Sequence, residues 1–401
     1  MQTQPTVAFV YFEAGGGHRS AALALDAVVR SENYGWNVQL VNLQEVLDSL
    51  DIFRKLTGVR MEDIYNKMLA KGWTLGSGML LPVMHGIIRL YHRSQVKLLA
   101  RFWEEHHPDM VVSLVPNFNR ALFQSMQLAL RGRPLVTVLT DLADFPPHFW
   151  MERQPEQYFI CGTRHAAEQA QQLGHPAART FLTSGMILRP NFYAAQPEDR
   201  GAERRTRGLD PNLPTGIVLF GGEGSNVMYA IAERLGNSSL DLQLILICGR
   251  NAKLKRRLEA LKTRNKLHVE GFTKQVPYFM YLSDFFIGKP GPGSISEALH
   301  MRLPVIIEKN AWTLPQERFN ADWVKESGFG VVLKNFREIE AAARNLLDPK
   351  TLSCMSGRIA ALNNKAAFEV PRILDSILDG QQQDGTNSKK VSSVPVWEGP
   401  C

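Results

Sequence analysis

"TVAFVYFEAGGGHRSAALAL", residues 6–25, runs an unbroken apolar stretch into three glycines, a histidine, an arginine and then an Ala/Leu-rich segment. Residues 6–12 are apolar without alternation, the pattern of a parallel strand covered on both faces. Ser20 to Val29 reads as a helix. Gly15, Gly16 and Gly17 at the junction let a ligand come close to the backbone and aim free helix N–H groups at an anion. The spacing is not that of a dinucleotide fingerprint, and the Lys-Ser/Thr of a P-loop is missing. A phosphate cradle needs no imidazole, so His18 points to a reaction.

The same plan recurs. Strand-like runs in the first half are "TVAFVYF", "NVQLVNL", "DMVVSLVP", "PLVTVLT", "QYFICG" and "RTFLTSG". The polar stretch "AAQPEDRGAERRTRGLDPNLP", residues 194–214, then marks a linker. After it "GIVLFGGEGSNVMYAIAERL" again gives strand, glycine turn and helix, followed by "LQLILICG", "KLHVEGF", "DFFIGK" and "PVIIEK". A chain of 401 residues suits about two domains of roughly 150–200 residues. We expect an α/β fold of two Rossmann-like doubly wound domains, residues 1–193 and 215–380, facing each other across a cleft. The last helix is placed to pack back on the first domain. Residues 381–401 are polar and read as a disordered tail.

The four cysteines are scattered without metal or redox spacing, as in a reduced, cytoplasmic protein. The start lacks a basic n-region, so no secretory signal is expected. The net charge of +7 and pI near 9.2 suit either nucleic acid or anionic lipid. No recognition motif or interleaved aromatic platform is present, so nucleic acid is not an expected partner. Residues 64–103 hold no Asp or Glu, yet carry Lys67, Lys71, Arg89, Arg93, Lys97 and Arg101. Met84, Ile87, Ile88, Tyr91, Leu98, Leu99 and Phe102 make an apolar stripe opposite Arg89, His92, Arg93, Lys97 and Arg101. With Trp73 and "GMLLPVM" before it, this is the composition of an interfacial contact with an anionic membrane, and also of an ordinary surface helix.

"GKPGPGSISEALHMRLPVIIE", residues 288–308, is the most specific stretch. It places Gly291, Gly293 and Ser294 at a helix start, whose N–H groups can hold a pyrophosphate without a metal. Glu297, one turn on, can accept both hydroxyls of a ribose, or merely complement the helix dipole. Gln316, Glu317 and Asn320 of "LPQERFNADWV" can read sugar hydroxyls from the next helix start.

Together with "TVLTDL", "FGGEGS", "LILICGRN" and "GFTKQVPYFMYLSDFF", these motifs resemble the GT-B glycosyltransferases of family 28. Within that family the resemblance is to the monogalactosyldiacylglycerol synthases and processive diacylglycerol glucosyltransferases. It covers roughly residues 6–375. It implies a lipid acceptor and membrane contact on the first domain, and a UDP-sugar on the second. It implies further that His18 lies by the acceptor and that Gly222, Gly224, Ser225 and Gly291 to Ser294 meet the diphosphate. Glu297 would then meet the ribose, Gln316 and Glu317 the hexose, and the backbone near Gly271 and Phe272 the uracil. The sequence departs from the plant-type pattern in having Phe12-Glu13 for a Ser-Asp pair. It also has His148 two places beyond the His-Pro that follows the Thr-Asp pair.

The reaction implied is inverting transfer of a hexose, galactose or glucose, from UDP to the hydroxyl of diacylglycerol. His18 is a candidate base, and Asp141, at a strand end, could orient it or act as the base itself. No Asp-x-Asp pair is present, so helix N–H groups with Lys289 or Arg250 are expected to carry the leaving-group charge, without metal or other cofactor. A peripheral place on the inner face of the cell membrane follows as an expectation. Alternatives are lipid-linked N-acetylglucosaminyl transfer of cell-wall synthesis, a non-hydrolysing UDP-sugar epimerase, and a non-catalytic basic protein that binds membranes or nucleic acid.

Overall fold

The computed structural model of the chain describes residues 4–13, 16–48, 86, 88–153 and 156–383. They build two six-stranded sheets, parallel throughout. The first has the order β2-β1-β3-β4-β5-β6, from β1 (Thr6–Tyr11), β2 (Asn37–Asn42), β3 (Met110–Ser113), β4 (Leu135–Val138), β5 (Tyr158–Cys161) and β6 (Thr180–Leu182). The second has the order β12-β11-β10-β7-β8-β9. Its strands are β7 (Thr215–Leu219), β8 (Gln243–Ile247), β9 (Leu267–Glu270), β10 (Phe285–Gly288), β11 (Val305–Glu308) and β12 (Gly330–Leu333). The runs without alternation become central strands: every residue of β3, β4, β7, β8 and β10 is buried. Helices cover both sheet faces, so neither face can afford a polar alternation.

Strand order reverses between β1 and β3 in the first sheet and between β7 and β10 in the second. Ligands of open α/β sheets lie beyond the carboxyl ends of the strands at such points. All three glycine loops sit there, after β1, β7 and β10. The helices that matter to the site are α1 (Gly17–Ser31), α2 (His92–His106), α3 (Asn119–Ala129), α4 (Arg164–Gln172), α5 (Val227–Gly236), α6 (Pro292–His300), α7 (Pro315–Ser327) and α8 (Ala366–Gln383).

α8 returns to the first sheet. Val370, Leu374, Ile377 and Leu378 enter the cluster that holds Leu25 and Val29 of α1. The Trp36 indole donates to Asp375 at 3.2 Å, and Ser184 N to Glu369 at 2.7 Å.

Four features differ from expectation. β12 was not foreseen; it is a short, half-buried edge strand. α1 begins at Gly17, three residues early, because Gly16 takes φ 75° at the N-cap. The expected linker is tied down: Arg200–Thr206 is helical, and buried Arg204 pairs with Asp284 at 2.7 Å. Leu188, Phe192 and Leu209 also join the core of the second sheet, so the chain crosses to that half before residue 194. Finally, the stripe read on α2 is largely spent on the core. Leu99 and Trp103 are buried against α3, with Leu98 and Phe102 packed beside them, and the Trp103 indole donates to Ser125 at 2.9 Å. The apolar face of residues 92–106 is therefore a packing face. Arg93, Lys97 and Arg101 are exposed along the other side, and Arg89, ahead of this helix, is exposed as well. Trp73, Met84, Ile87, Gly15 and residues 384–401 lie outside the described residues.

Candidate functional site

The first half brings His18 and Asp141 to one place. His18 is the second residue of α1, so it stands in a helical first turn and not on the loop itself. Its Nδ1 lies 3.0 Å from Thr140 Oγ1, and the ring also makes a backbone hydrogen bond with Leu114, just beyond β3. Burial of the imidazole lowers its pKa to about 4, and the Leu114 bond opposes that fall. The ring is thus neutral at pH 7 and already engaged.

Asp141 follows β4 and is buried. Burial raises its pKa to about 7. The Trp150 indole donates to its Oδ2 at 2.9 Å and opposes that rise. Glu317 pushes the same way as burial, Lys289 opposes it, and Asp144 adds a smaller upward push. Glu317 and Lys289 belong to the other half of the molecule, so the Asp141 carboxylate faces the second sheet's loops across the cleft. The halves also touch where His165 of α4 stacks on Phe319 of α7, with ring centroids 4.5 Å apart.

On the second half, Gly291 caps α6 in an extended conformation and leaves the N-terminal N–H groups of that helix open around exposed Gly293 and half-buried Ser294. Such a helix start favours negative charge. Lys289 Nζ binds buried Glu317 Oε1 at 2.7 Å and places a cation beside the same loop. Half-buried Gln316 stands next to it. Asn320 is fully buried, and its amide donates to Pro290 O at 2.9 Å. It braces the glycine loop from beneath. The expectation that Asn320 reads sugar hydroxyls is corrected, because no surface of it reaches the cleft.

After β7, Gly224 takes φ 63°, and a Cβ there would stand 2.5 Å from Cys248 O. Glycine is required by both conformation and space. Gly222 and Ser225 flank it. Arg250 N donates to Gly222 O at 2.8 Å, and its guanidinium pairs with Glu223 at 3.0 Å while lying 4.7 Å over the Phe272 ring. Phe272 is 56% exposed, a large aromatic surface at the rim of the same edge.

Glu297 is a second acid whose pKa is raised to about 7. Burial lifts it, and Arg189 pulls it down from 3.6 Å. Arg189 was not foreseen; it comes from the crossover between the halves, where no motif marks it. Trp150 and Asp144 were likewise missed, although "PPHFW" sits directly after the Thr-Asp pair. His148 does not join His18 and Asp141. It lies at φ 64° with its N–H on Asp144, and it lines an open cavity of about 700 Å³ with Arg89, His92, Arg120 and Arg153.

No family model matches the chain. A chloroplastic monogalactosyldiacylglycerol synthase of Spinacia oleracea is 29% identical over 394 residues, covering 91% of this chain and 71% of that protein. A processive diacylglycerol beta-glucosyltransferase of Bacillus subtilis is 25% identical over 354 residues, covering 83% of this chain and 87% of that one. Among solved structures, Acinetobacter baumannii MurG superposes with a TM-score of 0.62 at 12% identity, over 95% of this chain and 99% of that one. The UDP complex of S. aureus MnaA gives 0.60 at 13%, over 97% and 100%. Sequence and fold together thus set the chain among the relatives of monogalactosyldiacylglycerol synthases and processive diacylglycerol glucosyltransferases, on the GT-B plan.

Proposed function

We propose that the chain is an inverting glycosyltransferase that moves a hexose from a UDP-sugar to the hydroxyl of diacylglycerol. The observation that carries this reading is the position of Asp141. It is a buried carboxylate poised near neutrality on one lip of the cleft, and it faces the Lys289–Glu317 pair on the other. The relatives of known activity bear on the donor and acceptor classes.

Asp141 is the better base of the two candidates. A group with pKa near 7 is ionised in useful amounts and holds a proton well at neutral pH. His18, held near 4 and bonded on Nδ1, is the weaker acceptor and serves to shape the pocket. The acceptor hydroxyl gives its proton to Asp141 as its oxygen bonds the anomeric carbon. The bond from that carbon to the UDP oxygen breaks on the opposite face, inverting the centre. The charge left on UDP falls on the N–H groups of α6 and on Lys289. Among the described residues no three His, Cys, Asp or Glu side chains gather into a metal-binding group. Phe272 and Arg250 offer the uracil a stacking edge, and Glu297 takes the ribose.

Membrane attachment is proposed from the exposed row Arg89, Arg93, Lys97 and Arg101, which adjoins the basic cavity at His148. Among the described residues no helix is long and apolar enough to cross a membrane. Incubating the protein with diacylglycerol and labelled UDP-galactose or UDP-glucose, then separating the lipids, tests the reading; a labelled glycolipid supports it.

A further inference from the structure

We propose that Trp150 is a positioning residue for the Asp141 carboxylate: its indole N–H holds Oδ2 and leaves Oδ1 turned to the acceptor. The inference rests on Asp141 being the base. Trp150 is 1% exposed, and its Nε1 donates to Asp141 Oδ2 at 2.9 Å. Among the described residues no other hydrogen bond is made by that carboxylate. A carboxylate with one oxygen tethered has a single oxygen free to take a proton, and its direction is fixed. The indole also lies against the His18 ring, with centroids 5.9 Å apart, so one side chain sets the spacing of both candidate groups.

The tryptophan is itself clamped. Asp144 accepts Trp150 N at 2.6 Å on one oxygen and His148 N at 2.9 Å on the other. Trp150 O accepts from the Asn119 amide at 2.8 Å, and Asn119 Oδ1 accepts from Ser113 Oγ at 2.5 Å. Ser113 ends β3, so the indole is referred back to the central strand of the first sheet. Packing alone would need none of this. A buried Trp needs one partner for its N–H, and here that partner is a buried acid in place of a backbone carbonyl.

Trp150→Phe keeps an aromatic ring and deletes the donor. The indole N–H favours the ionised form of Asp141, so its loss makes the carboxyl harder to ionise. The expected result is kcat lowered about tenfold or more, with the acidic limb of its pH profile moved to higher pH. KM for the UDP-sugar should be unchanged. Wild-type kcat and an unmoved limb overturn the inference. Asp141→Asn separates the two levels. If it remains active, the base assignment has failed. If it is inactive while Trp150→Phe behaves as wild type, only the positioning role has failed. Should Trp150→Phe lose its cooperative melt, fluorine NMR of the 5-fluorotryptophan-labelled protein decides. One indole resonance should titrate near neutral pH in the wild type and stay fixed in Asp141→Asn. No such resonance overturns the inference.

Discussion

At the scale of single residues, the site is built from acids that the fold makes reluctant to ionise. Asp141 and Glu297 both have pKa values raised to about 7, in each case chiefly by burial. A carboxyl whose folded pKa lies above its unfolded value contributes stability below the unfolded pKa and loses it as pH rises through the folded one. For Asp141 that window runs from about 4 to about 7. Asp141→Asn removes the buried charge, so it should raise the melting temperature at pH 8 and change it little at pH 4. The same variant should lower kcat by about 10²–10⁴, the range for a lost general base. His18→Ala should cost less, since its neutral ring has a shaping role. Equal or greater loss in His18→Ala, with Asp141→Asn near normal, would return the base role to the imidazole. Glu297→Ala should weaken UDP binding by about 1–3 kcal/mol, read by calorimetry. In the wild type that affinity should rise between pH 6 and pH 8 as the carboxylate ionises against Arg189. Pairing at 3.6 Å is loose enough for a ribose to compete with the guanidinium.

At the scale of elements, much was legible because parallel strands between helices need continuous apolar runs. Eleven of the twelve strands lie where those runs stand, from β1 at "TVAFVYF" to β11 at "PVIIEK". β12 escaped because "GVVL" is an edge strand of four residues after a helix C-cap glycine, too short to carry a pattern. The start of α1 was displaced since Ala/Leu content marks a helix interior, whereas Gly16 and its left-handed φ mark the end. α2 shows the limit of periodicity. A stripe such as Leu98, Leu99 and Phe102 reads the same whether it meets lipid or another helix, and here α3 meets it. Gly224 shows the steric need of a glycine loop, while Arg189 acts through a contact made only when distant segments meet, and Trp150 and Asp144 act through local contacts that no motif marks. What remains of the membrane reading is electrostatic. Each basic residue near an anionic surface is worth about 1 kcal/mol, screened over about 8–10 Å. Replacing Arg89, Arg93, Lys97 and Arg101 together by Gln should cut binding to phosphatidylglycerol vesicles at low salt and lower activity on membrane-embedded diacylglycerol. Activity on a short, soluble acceptor should be spared. Parallel loss of both activities, together with the cooperative melt, would make the row structural.

At the scale of the molecule, the two halves are joined by more than a crossover. α8 is locked to the first sheet through Asp375 and Glu369, the Asn364 amide donates to Met186 O at 2.9 Å, and His165 stacks on Phe319 across the cleft. These ties set the opening between Asp141 and the Lys289–Glu317 pair. Closure of that opening around donor and acceptor would exclude water, the competing nucleophile. The central claim is that this cleft transfers a hexose from UDP to a diacylglycerol hydroxyl, with Asp141 as base. The most direct measurement follows labelled UDP-galactose and UDP-glucose with diacylglycerol vesicles in EDTA, wild type beside Asp141→Asn. Proton NMR of the isolated lipid reads the anomeric configuration. The account predicts a monohexosyl lipid of inverted configuration from the wild type, and at least a hundredfold less from the variant. No lipid product with either donor, a retained configuration, or equal yields from both proteins would contradict it.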